Sequence, residues 1–122
     1  MSSTILQAIE PMPDSEFTPM LAALQASIDV VAKLRDPEGG CPWDLAQTPE
    51  SLTPYIIEEA YETVHAIRGG DRAAIISELG DLLLQVILQT QLASEAGQFT
   101  LTEVAQSLSE KLIRRQDRKS VV

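Results

Sequence analysis

Glu58-Glu59-Ala60-Tyr61-Glu62, then a Gly69-Gly70 break, then Glu78-Leu79-Gly80-Asp81: this stretch decides how the chain folds. An α-helix advances about 100° per residue, so side chains three or four apart share a face. Glu58 and Glu62 are four apart, Glu59 and Glu62 three apart, and Glu78 and Asp81 three apart. The paired glycines predict a tight turn between two antiparallel helices. In that hairpin four or five carboxylates converge. Like charges brought together repel, and burial penalises them further. A hard divalent cation relieves both costs, and an all-oxygen donor set favours Mg²⁺, Mn²⁺ or Ca²⁺ over zinc.

Glutamates on a helix usually form a solvated face. Here the company argues otherwise. Ile56, Ile57, Ala60, Val64, Ile75, Ile76, Leu79, Leu82 and Leu83 surround the acids. Carboxylates set among apolar residues carry a desolvation cost that mere solubility does not require.

The chain has 122 residues, 44% of them apolar and 4% aromatic. That is enough for one domain with an aliphatic core, and the Leu, Ile, Val and Ala content predicts an all-α fold. The formal net charge of −9 argues against a partner made of nucleic acid polymer or an anionic membrane, both of which demand a basic surface. Five of the nine basic residues, Lys111, Arg114, Arg115, Arg118 and Lys119, lie near the C-terminus. An acidic centre with a basic segment able to fold over it suits a small polyphosphate. Cys41 is the single cysteine, so no intramolecular disulfide forms and no oxidising compartment is required. No basic region followed by an apolar run opens the sequence, so no signal peptide is expected. The run Leu82–Leu88, interrupted by Gln85, reads as too short to span a bilayer. The expectation is a soluble, cytoplasmic protein.

Residues 1–17 contain Pro11 and Pro13 and read as a loosely docked arm. Residues 18–116 form the helical domain, and 117–122 a short tail. Thr18-Pro19 has the form of a cap followed by proline. Met20, Leu21, Leu24, Ile28, Val31 and Leu34 then mark a helix over 19–35. Arg35 to Asp44 holds two prolines and two glycines and reads as an irregular loop. Trp43 in that loop is either a plug for the core, the commoner use of the ring, or a flat surface for a ligand. A helix is expected over 54–68, and another over 71–96 with Asp71 as its cap and Gly97 as its stop. The second is apolar most of the way round, which marks a central helix or a subunit contact. Thr100 and Glu103 fit a capping box. The last helix then runs to about Arg115, with Leu101, Val104, Leu108 and Leu112 inward. Four such helices make a bundle-like unit with a modest core, completed by oligomerisation into a homodimer or homotetramer.

Three motifs in order now resemble a known family: Gly40-Cys41-Pro42-Trp43-Asp44 with Gln47-Thr48, Glu58-Glu59-x-x-Glu62, and Glu78-Leu79-Gly80-Asp81-Leu82-Leu83. Together they resemble the MazG-type nucleotide pyrophosphohydrolases of the all-α NTP pyrophosphohydrolase superfamily, over about residues 20–115. The resemblance implies an oligomeric enzyme that cleaves NTPs or dNTPs between the α and β phosphates, giving a monophosphate and pyrophosphate. It implies Mg²⁺, or Mn²⁺, held by Glu59, Glu62, Glu78 and Asp81. It gives Glu58, Glu59 and Glu62 catalytic parts, with Glu58 orienting or deprotonating the attacking water. It assigns Lys111 and Arg115 to the phosphates. By their own chemistry, Trp43 offers a ring to stack on a base and Asp44 or Gln47 a group to bond its edge, the other reading of Trp43 being a brace for its loop. The tail from Gln116 departs from the His-Pro-containing segment of many relatives.

Two other classes compete. A non-catalytic helical interaction module explains the apolar positions Leu84 and Leu88 but leaves the carboxylate spacing idle. A di-iron carboxylate protein matches Glu62-x-x-His65, but it needs a second such pair and the chain has one histidine. Within the superfamily, a phosphoribosyl-ATP pyrophosphohydrolase is the nearest rival, and the Cys-Pro-Trp-Asp loop favours the MazG type.

Overall fold

A computed structural model describes residues 11–121, with side chains to 118. The described residues form five helices and no strand: α1 (Asp14–Leu34), the single turn α2 (Pro42–Leu45), α3 (Thr53–Gly69), α4 (Arg72–Glu95) and α5 (Leu101–Val121). The all-α expectation holds, and four long helices build the unit.

α3 and α4 are the hairpin. Gly70 closes α3 at φ 76°, a left-handed backbone that glycine adopts without the Cβ penalty. Asp71 then caps α4 by accepting from the Ala74 N–H at 3.0 Å. α3 packs chiefly on α4, and α1 and α5 lean on α4 more lightly. α4 is therefore the central helix. Its second half is buried at Gln85, Ile87, Leu88, Thr90, Leu92 and Ala93. The core joins Ile87, Leu88 and Leu92 to Val31 of α1 and Leu52, with Leu24, Ile28 and Tyr55 packed around them.

The ends of α1 and α4 are tied together by Arg35. Its guanidinium donates to Glu95 Oε1 at 2.6 Å and to Oε2 at 3.1 Å, and to the backbone carbonyl of Asp44. This fork fixes the 35–44 loop over the bundle end. Gly40 is required there, because a Cβ would lie 2.4 Å from the Asp36 carbonyl and 2.6 Å from that of Leu34. The Thr100–Glu103 capping box starts α5, with reciprocal bonds of 3.3 and 3.4 Å.

Three expectations are corrected. α1 begins at Asp14 rather than after Thr18, so Pro19 lies inside it. Asp14 and Glu16 in the first turn complement the positive helix end, and Pro19, in the second turn, forgoes the backbone bond to the Ser15 carbonyl. The arm shrinks accordingly, and residues 1–10 lie outside the described residues. α5 does not stop at Arg115 but continues to Val121, since Gln116 to Ser120 contain neither glycine nor proline to end it; Val122 lies outside the described residues. Trp43 is not a core plug. It stays 48% exposed, with its ring edge-on to Tyr55 at 5.7 Å. By length and composition α1 and α4 are also apolar enough to cross a membrane, while the Leu82–Leu88 run by itself is short. α4 uses that apolarity as the centre of the bundle.

The apolar surface is far from fully used. Among the described residues seven apolar side chains are buried while twenty large ones stay exposed, among them Val104, Leu108 and Leu112, meant for the inner face of α5. The chain exposes 9186 Å², against about 6,500 Å² for a compact monomer of this mass.

Candidate metal centre

The antiparallel hairpin sets Glu59 of α3 opposite Glu78 and Asp81 of α4. One carboxylate oxygen from each lies within 4.8 Å of the others. The backbone between them is pinned by Thr63, which is 5% exposed. Its hydroxyl lies 2.7 Å from the Glu59 carbonyl on its own helix and 3.2 Å from the Glu78 carbonyl across the seam.

Glu62 joins from α3. Its carboxylate lies close enough to Glu78 to press a like charge on it. Burial first, then Glu62, Asp81, Glu78 and Glu58 in that order, raise Glu59 above the ordinary carboxylate range. Burial also leads for Glu78, followed by the charge and hydrogen bond of Glu62 and the charge of Asp81. Glu58 is exposed and acts on Glu59 from the rim. No lysine or arginine is among the groups that shift Glu59 or Glu78.

The decisive feature is orphaned oxygen. Glu59 Oε2 and Glu78 Oε2 are buried, and neither has a hydrogen-bond partner. A buried carboxylate oxygen without a partner is costly, and like charge on the neighbouring acids adds to the cost. An oxygen-coordinated divalent cation satisfies both at once, so the donor set fits Mg²⁺ or Mn²⁺.

Two hollows lie along the hairpin, and only the first is lined by acids of the cluster. Towards the two-glycine turn, an open cleft of about 470 Å³ is lined by Tyr61, Glu62, His65, Ala66, Ala74 and Glu78. Away from the turn, a smaller slot of about 230 Å³ lies between Ile56 and α4.

The remaining sequence candidates are scattered. Asp44 meets Arg35 through its backbone. Gln47 is occupied within the loop, donating to the Trp43 carbonyl at 3.0 Å and accepting from Ser51 Oγ at 2.8 Å. Lys111 lines a surface hollow with Phe99, Glu103 and Leu108, and Arg115 is exposed on α5. Sequence reasoning missed Thr63 and Gln85. A polar residue within each apolar stripe was the available signal.

An α-helical hairpin with converging, partly buried carboxylates defines an acidic centre able to hold a metal ion. Residues 47–119 match the MazG nucleotide pyrophosphohydrolase domain. The chain is 51% identical over 88 residues to the nucleoside triphosphate pyrophosphohydrolase/pyrophosphatase MazG of Thermotoga maritima, covering 72% of this chain and 34% of that protein. It is 44% identical over 88 residues to the nucleoside triphosphate pyrophosphohydrolase of Escherichia coli K12, with the same coverage of 72% and 34%. The corresponding protein of Mycobacterium tuberculosis is 41% identical over 87 residues, 70% of this chain and 27% of that one. The chain therefore belongs to the MazG nucleotide pyrophosphohydrolase domain family, and it spans about a third of the length of the first two relatives.

Proposed function

We propose that this chain is a Mg²⁺-dependent nucleoside triphosphate pyrophosphohydrolase, splitting NTPs or dNTPs between the α and β phosphates into a monophosphate and pyrophosphate. Mn²⁺ serves as a substitute. The observation that carries this reading is the buried, unpartnered oxygen on each of Glu59 and Glu78, in a cluster where Glu59, Glu78 and Asp81 each bring one carboxylate oxygen within 4.8 Å of the others. The names of the relatives support the substrate class.

Glu59, Glu62, Glu78 and Asp81 would hold the ion. Once bound, it neutralises charge on phosphate oxygens. The chain's own residues do the rest. The surplus of negative charge repels a bare triphosphate and admits one accompanied by cations. Glu58, exposed at the rim, is free to hold a water and take its proton. Lys111 and Arg115 would reach the departing pyrophosphate only from another copy or after a movement of α5.

The twenty exposed apolar side chains support an assembly of at least two copies. Sedimentation should give a mass above the 13.3 kDa of one chain, and a cytoplasmic location accords with the single cysteine. The test of activity is pyrophosphate release across the common NTPs and dNTPs with Mg²⁺. Glu62→Gln and Asp81→Asn should abolish release while helical content is retained. Undiminished turnover in either variant defeats the assignment.

A further inference from the structure

The acidic centre opens towards the two-glycine turn into the cleft of about 470 Å³. Glu62 and Glu78 belong both to the cluster and to the cleft wall, whose other members are Tyr61, His65, Ala66 and Ala74. Phosphates held at those acids therefore have this hollow beside them. Two of its side chains carry a hydrogen-bond donor. The Tyr61 hydroxyl belongs to a residue 74% exposed, at the edge. His65 stands three residues after Glu62, on the same face of α3 and about 4.5 Å further along its axis. Among the described residues neither ring has a hydrogen-bond or ion-pair partner.

The reaction says what a donor is for there. As water adds to the α phosphorus, the bond to the bridging oxygen breaks and its electron pair leaves with pyrophosphate, so negative charge grows on the leaving side. A donor placed on that side binds more strongly in the transition state than before it. Lys111 does not supply it within this chain, since it lines a separate hollow on α5. We propose that the β and γ phosphates occupy this cleft, where a ring N–H of His65 donates to a pyrophosphate oxygen. An imidazole keeps at least one N–H whether neutral or charged, so the contact does not wait on its protonation. The inference rests on the triphosphate reading and adds a residue that holds the leaving group.

Calorimetry on the whole chain tests the contact, with Mg²⁺ and two probes: inorganic pyrophosphate, and a nucleoside monophosphate, which lacks the leaving group. His65→Phe keeps a flat ring without the donor, His65→Gln keeps an N–H, and Tyr61→Phe removes the neighbouring hydroxyl. His65→Phe should bind pyrophosphate about tenfold more weakly, the worth of one hydrogen bond to a charged group, with monophosphate affinity unchanged. His65→Gln should keep most of the pyrophosphate affinity. Mn²⁺ binding without phosphate should be the same in parent and variants. Unchanged pyrophosphate affinity in His65→Phe overturns the inference, as does an equal loss for both probes or a loss produced by Tyr61→Phe alone. Weakened Mn²⁺ binding in His65→Phe also overturns it, and makes the imidazole a metal ligand. So does a parent that hydrolyses an NTP yet binds no pyrophosphate. A parent that neither binds pyrophosphate nor releases it from any NTP or dNTP sinks the triphosphate reading itself, and the contact with it.

Discussion

The hydroxyl of Thr63 lies 3.2 Å from the backbone carbonyl of Glu78, across the seam between α3 and α4. It touches the Glu59 carbonyl as well, at 2.7 Å. One buried group thus meets the backbone of both helices beneath the acidic centre. Thr63→Val keeps the shape and removes the contact. It should cost about 1 kcal/mol in urea denaturation and weaken Mn²⁺ binding by about tenfold, the low end for groups that orient ligands. Thr63→Ser should keep most of the Mn²⁺ affinity. Equal Mn²⁺ affinity in all three proteins would reduce Thr63 to packing.

The metal-free protein should lose stability as pH rises out of the carboxylate range. Glu59 and Glu78 titrate higher when folded than when unfolded, so the folded state holds their protons more tightly. Their contribution is most favourable below the ordinary glutamate range and falls until pH passes the raised values. Glu95 acts oppositely. The hydrogen bond from Arg35 holds it low, so its contribution is present at neutral pH and fades as pH falls through that lowered value. Thermal melts from acid to neutral pH, with and without Mg²⁺, check the sign. Mg²⁺ should flatten the descent, because binding replaces the protons.

Glu59→Gln should separate stability from activity. Neutralising one member relieves repulsion among Glu59, Glu62, Glu78 and Asp81. The metal-free variant should therefore melt higher than the parent at neutral pH, while pyrophosphate release falls by at least about a hundredfold. A variant both less stable and fully active would contradict the clustering.

Glu95→Gln tests the clamp at the other end of the bundle. The Arg35–Glu95 pair is bidentate, but the Glu95 side chain is 36% exposed, so solvent screens much of its worth. The substitution should cost about 1 kcal/mol or less. It should also loosen the Trp43 loop, read as a rise in tryptophan quenching by acrylamide, with pyrophosphate release little changed.

The hairpin was legible because three independent signals coincided. Paired glycines, a capping aspartate and apolar spacing set α3 and α4 within a residue or two of their observed ends. Fold class followed from composition, and the three ordered motifs carried the family. Other features depend on tertiary context. Nothing local reveals that Asp14 starts α1, since Pro19 mimics a helix start equally well. Trp43 meets Tyr55 across twelve residues, a contact that no periodicity announces. Gln85 reads in sequence as an interruption, and only the packed hairpin shows its carbonyl to be buried and alone.

A crystal soaked in Mn²⁺ and examined for anomalous scattering decides the main question. A peak should lie between α3 and α4, about 2.0–2.3 Å from carboxylate oxygens of Glu59, Glu78 and Asp81, and should vanish in Asp81→Asn. A hairpin empty of Mn²⁺ at saturating concentration, or an ion bound only elsewhere on the chain, would contradict the assignment of these acids as a metal centre.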